Sequence, residues 1–141
     1  MDGGKSAMNE IRISDVTMKQ TGKDFSLTFK EKIEIAKLLD RLRVSVIELE
    51  PIRNPKIDAL LIKSVASAVK QSAVAVPVGL SAEGAAAAWN ALREAAHPRL
   101  QVTAAVSPVQ MEYLFHKKPD AMLAAIRETV AACRALCADV E

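Results

Sequence analysis

The chain has 141 residues, half of them hydrophobic but only 4% aromatic, and a formal net charge of +2. That length suffices for one domain with a real core, and the core must be aliphatic. The mixed charge lacks the basic footprint of a nucleic-acid binder, and no apolar run approaches the roughly 20 residues of a membrane-spanning helix.

Residues 1–10 (MDGGKSAMNE) have no apolar period and read as a flexible leader, which places the folded domain at 11–141. Residues 11–18 alternate and predict a first strand whose far end carries Lys19 and Gln20. A loop over 21–27 leads to Thr28, which has Glu31 three positions on, the spacing of a capping box. Ile35, Leu38, Leu39 and Leu42 form the apolar stripe of the helix that follows.

Residues 44–50 (VSVIELE) predict the second strand, with Glu48 and Glu50 on one face near its end. Asn54 and Pro55 suit the start of a second helix. Residues 73–78 (AVAVPV) are apolar on both faces, as a central parallel strand requires. Pro77 cannot donate to a ladder and is placed near the strand's end. Ser81 caps a third, Ala-rich helix over 82–96, with Trp89 packing it to a neighbour. The fourth strand is read at 100–107, followed by a short helical piece through 113–116 and a long helix from Pro119. Its stripe is Met122, Ile126, Val130, Cys133 and Cys137, and Val140 is placed to begin a fifth strand.

Four consecutive β-α units predict an α/β fold with a parallel sheet and right-handed crossovers. Two closures are open: a doubly wound sheet, or half of a (β/α)8 barrel, which takes about 250 residues when complete. No Gly-rich phosphate loop follows the first strand, which weighs against a dinucleotide fold.

Cys133 and Cys137 share a helix face and read as two reduced, partly buried thiols. With no signal peptide, the chain reads as cytoplasmic. No further Cys or nearby His completes a zinc set. His97 and His116 read as surface residues.

Ligands of parallel α/β folds bind at the carboxyl ends of the strands. Those ends offer Lys19, Gln20, Glu48, Glu50, Ser107 and Gln110. Together they could hold a small organic acid; read singly, they are loop-facing polar residues.

Residues 14–20 (SDVTMKQ), the helix EKIEIAKLLDRL, the strand VSVIELEP and the turn SPVQMEYLFHKKPDAML resemble the first half of the 2-isopropylmalate, homocitrate and citramalate synthase group, which is related to hydroxymethylglutaryl-CoA lyase. The resemblance implies half of a (β/α)8 barrel. It also implies acyl transfer from acetyl-CoA to a 2-oxo acid, as in amino-acid biosynthesis, with a divalent metal (Mg, Mn or Zn). It places Lys19 where the group has an enolate-supporting Arg, and Gln20 where it has a metal-ligating acid. Asp15, Thr17 and Glu48 match. Gln110 stands where a His is usual.

The resemblance therefore makes Lys19 and Glu48 the candidate catalytic residues. Asp15, Thr17, Glu50, Ser107 and Gln110 are the candidate substrate residues, and Gln20 is the aligned metal position. Gln is a poor ligand for a hard cation, and Lys lacks the bidentate fork of Arg. The chain is thus expected to be a divergent or partial member, inactive alone and possessing no cofactor of its own. The alternative is a non-catalytic small-acid-binding or assembly module. Either way an open half-barrel predicts a homo-oligomer or a complementary half-barrel chain.

Overall fold

The computed structural model describes residues 10–20 and 25–141. The leader, apart from Glu10, and most of the loop over 21–27 lie outside the described residues. Four strands, β1 (Ser14–Asp15), β2 (Val46–Glu48), β3 (Ala73–Val78) and β4 (Pro98–Val102), pair parallel in the order β1-β2-β3-β4. Between and after them run α1 (Phe29–Arg41), α2 (Ile57–Ala68), α3 (Ala82–Leu92), α4 (Pro108–Tyr113) and α5 (Pro119–Leu136). Among the described residues no helix is long and apolar enough to cross a membrane.

The helices answer which closure applies. α1 packs on α2, α2 on α3, and α3 on α5, as one continuous layer. Val74, Val76 and Val78 of β3, Ile47 of β2 and Leu100 of β4 share one core with Ile62, Val65, Ala85, Ala88, Leu92 and Cys133 from the helices. Burying a side chain such as Ile47 stabilises by about 1.5–3 kcal/mol. The intervening strand residues point to the opposite, helix-free face. This is half of a (β/α)8 barrel rather than a doubly wound sheet. A fifth parallel pairing begins as expected: Val140 bridges Leu100, and the Val102 amide donates to the Glu141 carbonyl at 2.7 Å.

Capping decides where the helices start. The Thr28 hydroxyl accepts from the Glu31 amide at 3.3 Å, and the Glu31 carboxylate accepts from the Thr28 amide at 2.8 Å, completing the box. The Ser81 hydroxyl accepts from Gly84, and the Ser107 hydroxyl from Gln110. α2 starts later than Asn54 and Pro55 suggested: its N-cap is Lys56, which makes no side-chain cap, and Asn54 Oδ1 instead holds the turn ahead of the helix by accepting from the amides of Lys56 and Ile57.

α1 ends in a Schellman motif. The Arg43 amide donates to the Asp40 carbonyl and the Val44 amide to the Leu39 carbonyl. Arg43 therefore takes a left-handed φ of 57°, which costs a side-chain-bearing residue about 1–2 kcal/mol. Asp40 then ties α1 to the sheet. Its carboxylate accepts from the amides of Lys70, Gln71 and Ser72 at 2.8–2.9 Å, holding the turn that starts β3.

Three strand boundaries differ from the sequence expectation. β1 covers only Ser14–Asp15 of 11–18, because Asp15 turns the chain. Its two carboxylate oxygens accept from the Thr17 amide and hydroxyl, and a 3-10 turn follows over Thr17–Lys19. β2 is shorter than 44–50 because β3 cannot extend the ladder. The β3 amides of odd number face β2, as Ala73 does in donating to the Ser45 carbonyl. Pro77 is the next odd position after Ala75 and has no N–H, so β2 stops at Glu48. β4 runs Pro98–Val102 rather than 100–107, because β3 ends at Val78, opposite Val102, leaving 103–106 no strand to pair with. α3 ends at Leu92 rather than 96.

Candidate functional site

The helix-free face of the sheet carries the polar side chains. In register, Glu48 of β2 lies beside Ala75 of β3, and Pro77 of β3 beside Gln101 of β4. Ala75 has no side chain long enough to separate its neighbours. Glu48 and Gln101, two strands apart, therefore meet: Gln101 Nε2 donates to Glu48 Oε2 at 3.3 Å.

Lys19, delivered by the 3-10 turn after β1, completes the cluster. Its ammonium donates to Glu48 Oε2 at 2.5 Å and to Gln101 Oε1 at 3.0 Å. The Ser14 hydroxyl donates to the other Glu48 oxygen at 2.6 Å. Both partners of the ion pair are largely shielded, the side chains of Lys19 and Glu48 being 28% and 12% exposed. Burial alone would raise the Glu48 pKa, but hydrogen bonds from Lys19, Ser14 and Gln101 outweigh it and hold the carboxyl below its ordinary value. The cluster is an internally neutralised amine–carboxylate pair.

Glu50 does not join Glu48. With β2 ended, its carboxylate pairs instead with Lys32 of α1 at 3.1 Å. Each glutamate thus has its own ammonium, and the two do not form a joint cation site. Asp15 and Thr17 are engaged with one another, as described above. Ser107 caps α4, Gln110 is exposed in that helix's first turn, and Gln20 is exposed past the 3-10 turn. The candidates Lys19 and Glu48 are brought together; Ser107, Gln110 and Gln20 are not brought into contact with them. Gln101 was absent from the sequence candidates. Its signal was a lone amide between Leu100 and Val102 inside an apolar strand.

A cleft of about 460 Å³ opens at the carboxyl ends of the strands, lined by Lys19, Glu50, Arg53, Gly79, Thr103 and Phe115 among others. A larger recess, about 520 Å³, lies around α4 and the start of α5, with Met111, Glu112, His116 and Lys117 in its wall. It does not touch the Lys19–Glu48 pair, so the smaller cleft is the one that meets the polar cluster.

The HMGL-like family profile matches residues 10–141. The chain belongs to the HMGL-like family. It is 33% identical over 125 residues to a 2-isopropylmalate synthase of Halalkalibacterium halodurans, covering 87% of this chain and 24% of that protein. It is 34% identical over 128 residues to one of Geobacillus stearothermophilus, covering 87% and 24%. A 2-isopropylmalate synthase of Caulobacter vibrioides matches at 31% over 142 residues, covering 99% and 27%. The chain spans about a quarter of the length of these relatives.

The described residues at the polar end of this HMGL-like sheet do not by themselves make a divalent-metal set. Among the described residues, no three His, Cys, Asp or Glu side chains lie close enough together to hold one. The oxygens of Asp15 and Glu48 already accept hydrogen bonds, and an ammonium sits against Glu48. Gln20 supplies only a neutral amide.

Proposed function

We propose that this chain is a divergent, partial HMGL-like unit that does not by itself perform the acyl transfer implied by its resemblance to the synthases. The carrying observation is the Lys19–Glu48–Gln101 cluster. A general base must be free to take a proton, whereas the Glu48 carboxylate is held ionised and bound by three donors. The two other candidate acids are also engaged: Asp15 by Thr17 and Glu50 by Lys32.

Two assays test this reading. Calorimetric titration with Mg²⁺, Mn²⁺ and Zn²⁺ is expected to give no tight binding. A thiol-release assay with acetyl-CoA and several 2-oxo acids is expected to give no turnover. Metal-dependent turnover in the second assay overturns the reading.

The alternative, an assembly module, is favoured by the sheet itself. The β1 edge, where Ile11 and Ile13 are exposed, lacks cover among the described residues. A second copy or a complementary half-barrel chain would cover it; the outer edge of β4 is already paired with 139–141, so either partner joins beyond that segment or displaces it. Sedimentation of the chain as a stable, folded monomer at micromolar concentration counts against any such partner. A small organic acid in the cleft beside Lys19 and Arg53 belongs to the same alternative, and Lys19→Met would then abolish its binding.

A further inference from the structure

At the opposite end of the sheet, by the amino ends of the strands, lies a third cavity, of about 360 Å³. Three arginines from three separate places in the chain line it: Arg12 ahead of β1, Arg43 between α1 and β2, and Arg99 in β4. His97, Gln71 and Ser45 add further polar groups. Two carboxylates are also in the wall. Glu10 pairs with Arg12 at 3.1 Å, and Asp139 with Arg99 at 3.0 Å.

These pairs differ in kind. Arg12 and Glu10 are both largely exposed, at 63% and 74%, so their pairing is weak and readily exchanged. The Arg99 side chain is only 16% exposed and is oriented by Asp139 and by Glu141 at 3.6 Å. Its guanidinium is fixed at the wall of the cavity and is partly neutralised by those two carboxylates.

Arg43 is the informative residue. It occupies the left-handed position of the Schellman motif, where glycine is unstrained and arginine is not. Backbone strain of this kind clusters at functional sites. What arginine supplies and glycine does not is a third guanidinium at this cavity.

We propose that this cavity is a binding site for a phosphate-type oxyanion, either free phosphate or the phosphate group of a larger molecule. Guanidinium groups arriving from several elements suit a tetrahedral anion with acceptor oxygens on all sides. The anion would take Glu10's place on Arg12 and bind Arg43 and Arg99 beside it. The site is separate from the Lys19–Glu48 cluster, and the inference does not depend on the proposal made for that cluster.

The test is a titration of the whole chain with inorganic phosphate at constant ionic strength, followed through backbone amide resonances. Saturable shifts are expected at residues 43–46 and 97–99, with a dissociation constant on the order of 1 mM. Arg43→Gly removes the guanidinium and the strain together, so the variant folds at least as well; it should weaken binding by roughly fivefold or more. Arg12→Ala, at an exposed position, should weaken it in the same sense. Glycerol 3-phosphate separates the two sources: tighter binding than phosphate indicates a monoester, weaker binding the free anion. Shifts that never saturate, or an Arg43→Gly variant that binds phosphate as well as the parent chain, overturn the proposal.

Discussion

The Lys19 ammonium and the Glu48 carboxylate, 29 positions apart in sequence, lie 2.5 Å from one another on the helix-free face of the sheet. Their pairing depends on the 3-10 turn after β1 and on the small β3 residue Ala75 beside Glu48. It converts two potentially reactive groups into a neutral structural unit.

That unit makes stability depend on pH. The Glu48 pKa is depressed in the folded state, the hydrogen bonds from Lys19, Ser14 and Gln101 prevailing over desolvation. Its contribution is therefore fully present above the unfolded carboxylate pKa, about 4.3, and is lost as pH falls through the lower folded value. Urea unfolding between neutral pH and pH 3 should show this loss. Glu48→Gln should flatten the acid limb and cost about 1–2 kcal/mol at pH 7. An acid limb unchanged in the variant contradicts the assignment.

Asp40 should matter more to stability than any surface charge. It is buried, and its carboxylate holds three consecutive amides at the start of β3. Burial pushes its pKa up, but the amides of Lys70, Ser72 and Gln71 more than reverse this, leaving it lowered. Asp40→Ala leaves three amides without their acceptor, that of buried Ser72 among them, and should destabilise by about 2–4 kcal/mol. Hydrogen exchange should quicken at 70–72 first.

The α1 capping box should contribute an ordinary amount. Thr28→Ala removes the acceptor for the Glu31 amide and should cost about 1 kcal/mol. Thr28→Ser should restore most of it. Thermal denaturation of the two variants checks this, and equal melting temperatures for parent and alanine variant contradict it.

The two cysteines should be slow to react. Cys133 is fully buried in the core, and burial first, then the neighbouring Cys137, pushes its thiol pKa up. The Cys137 thiol donates to the carbonyls of Pro98 and Asp139. A disulfide reagent should modify neither thiol appreciably in the folded chain and both after unfolding. Rapid native labelling of Cys133 contradicts its burial.

Much of this protein was legible in local sequence, because local chemistry controls it. The Thr28 and Ser81 caps, the apolar third strand and the start of α5 at Pro119 each follow from a few neighbouring residues. The pairing of Lys19 with Glu48 was anticipated only as two polar strand ends that a parallel sheet brings to one side.

The tertiary structure decided the rest, for a common reason: strand ends and side-chain partners are fixed by residues distant in sequence. β2 stops at Glu48 because Pro77 lacks an N–H, and β4 stops at Val102 because β3 has ended. Those endings send Glu50 to Lys32 rather than to Glu48, and the residues after β4 into a loop. Gln101 meets Glu48 only because Ala75 between them is small. The sequence by itself determined an alternating α/β chain and its family. Whether its polar strand ends stand free or bind one another was decided by parallel register, which places residues of separate strands side by side.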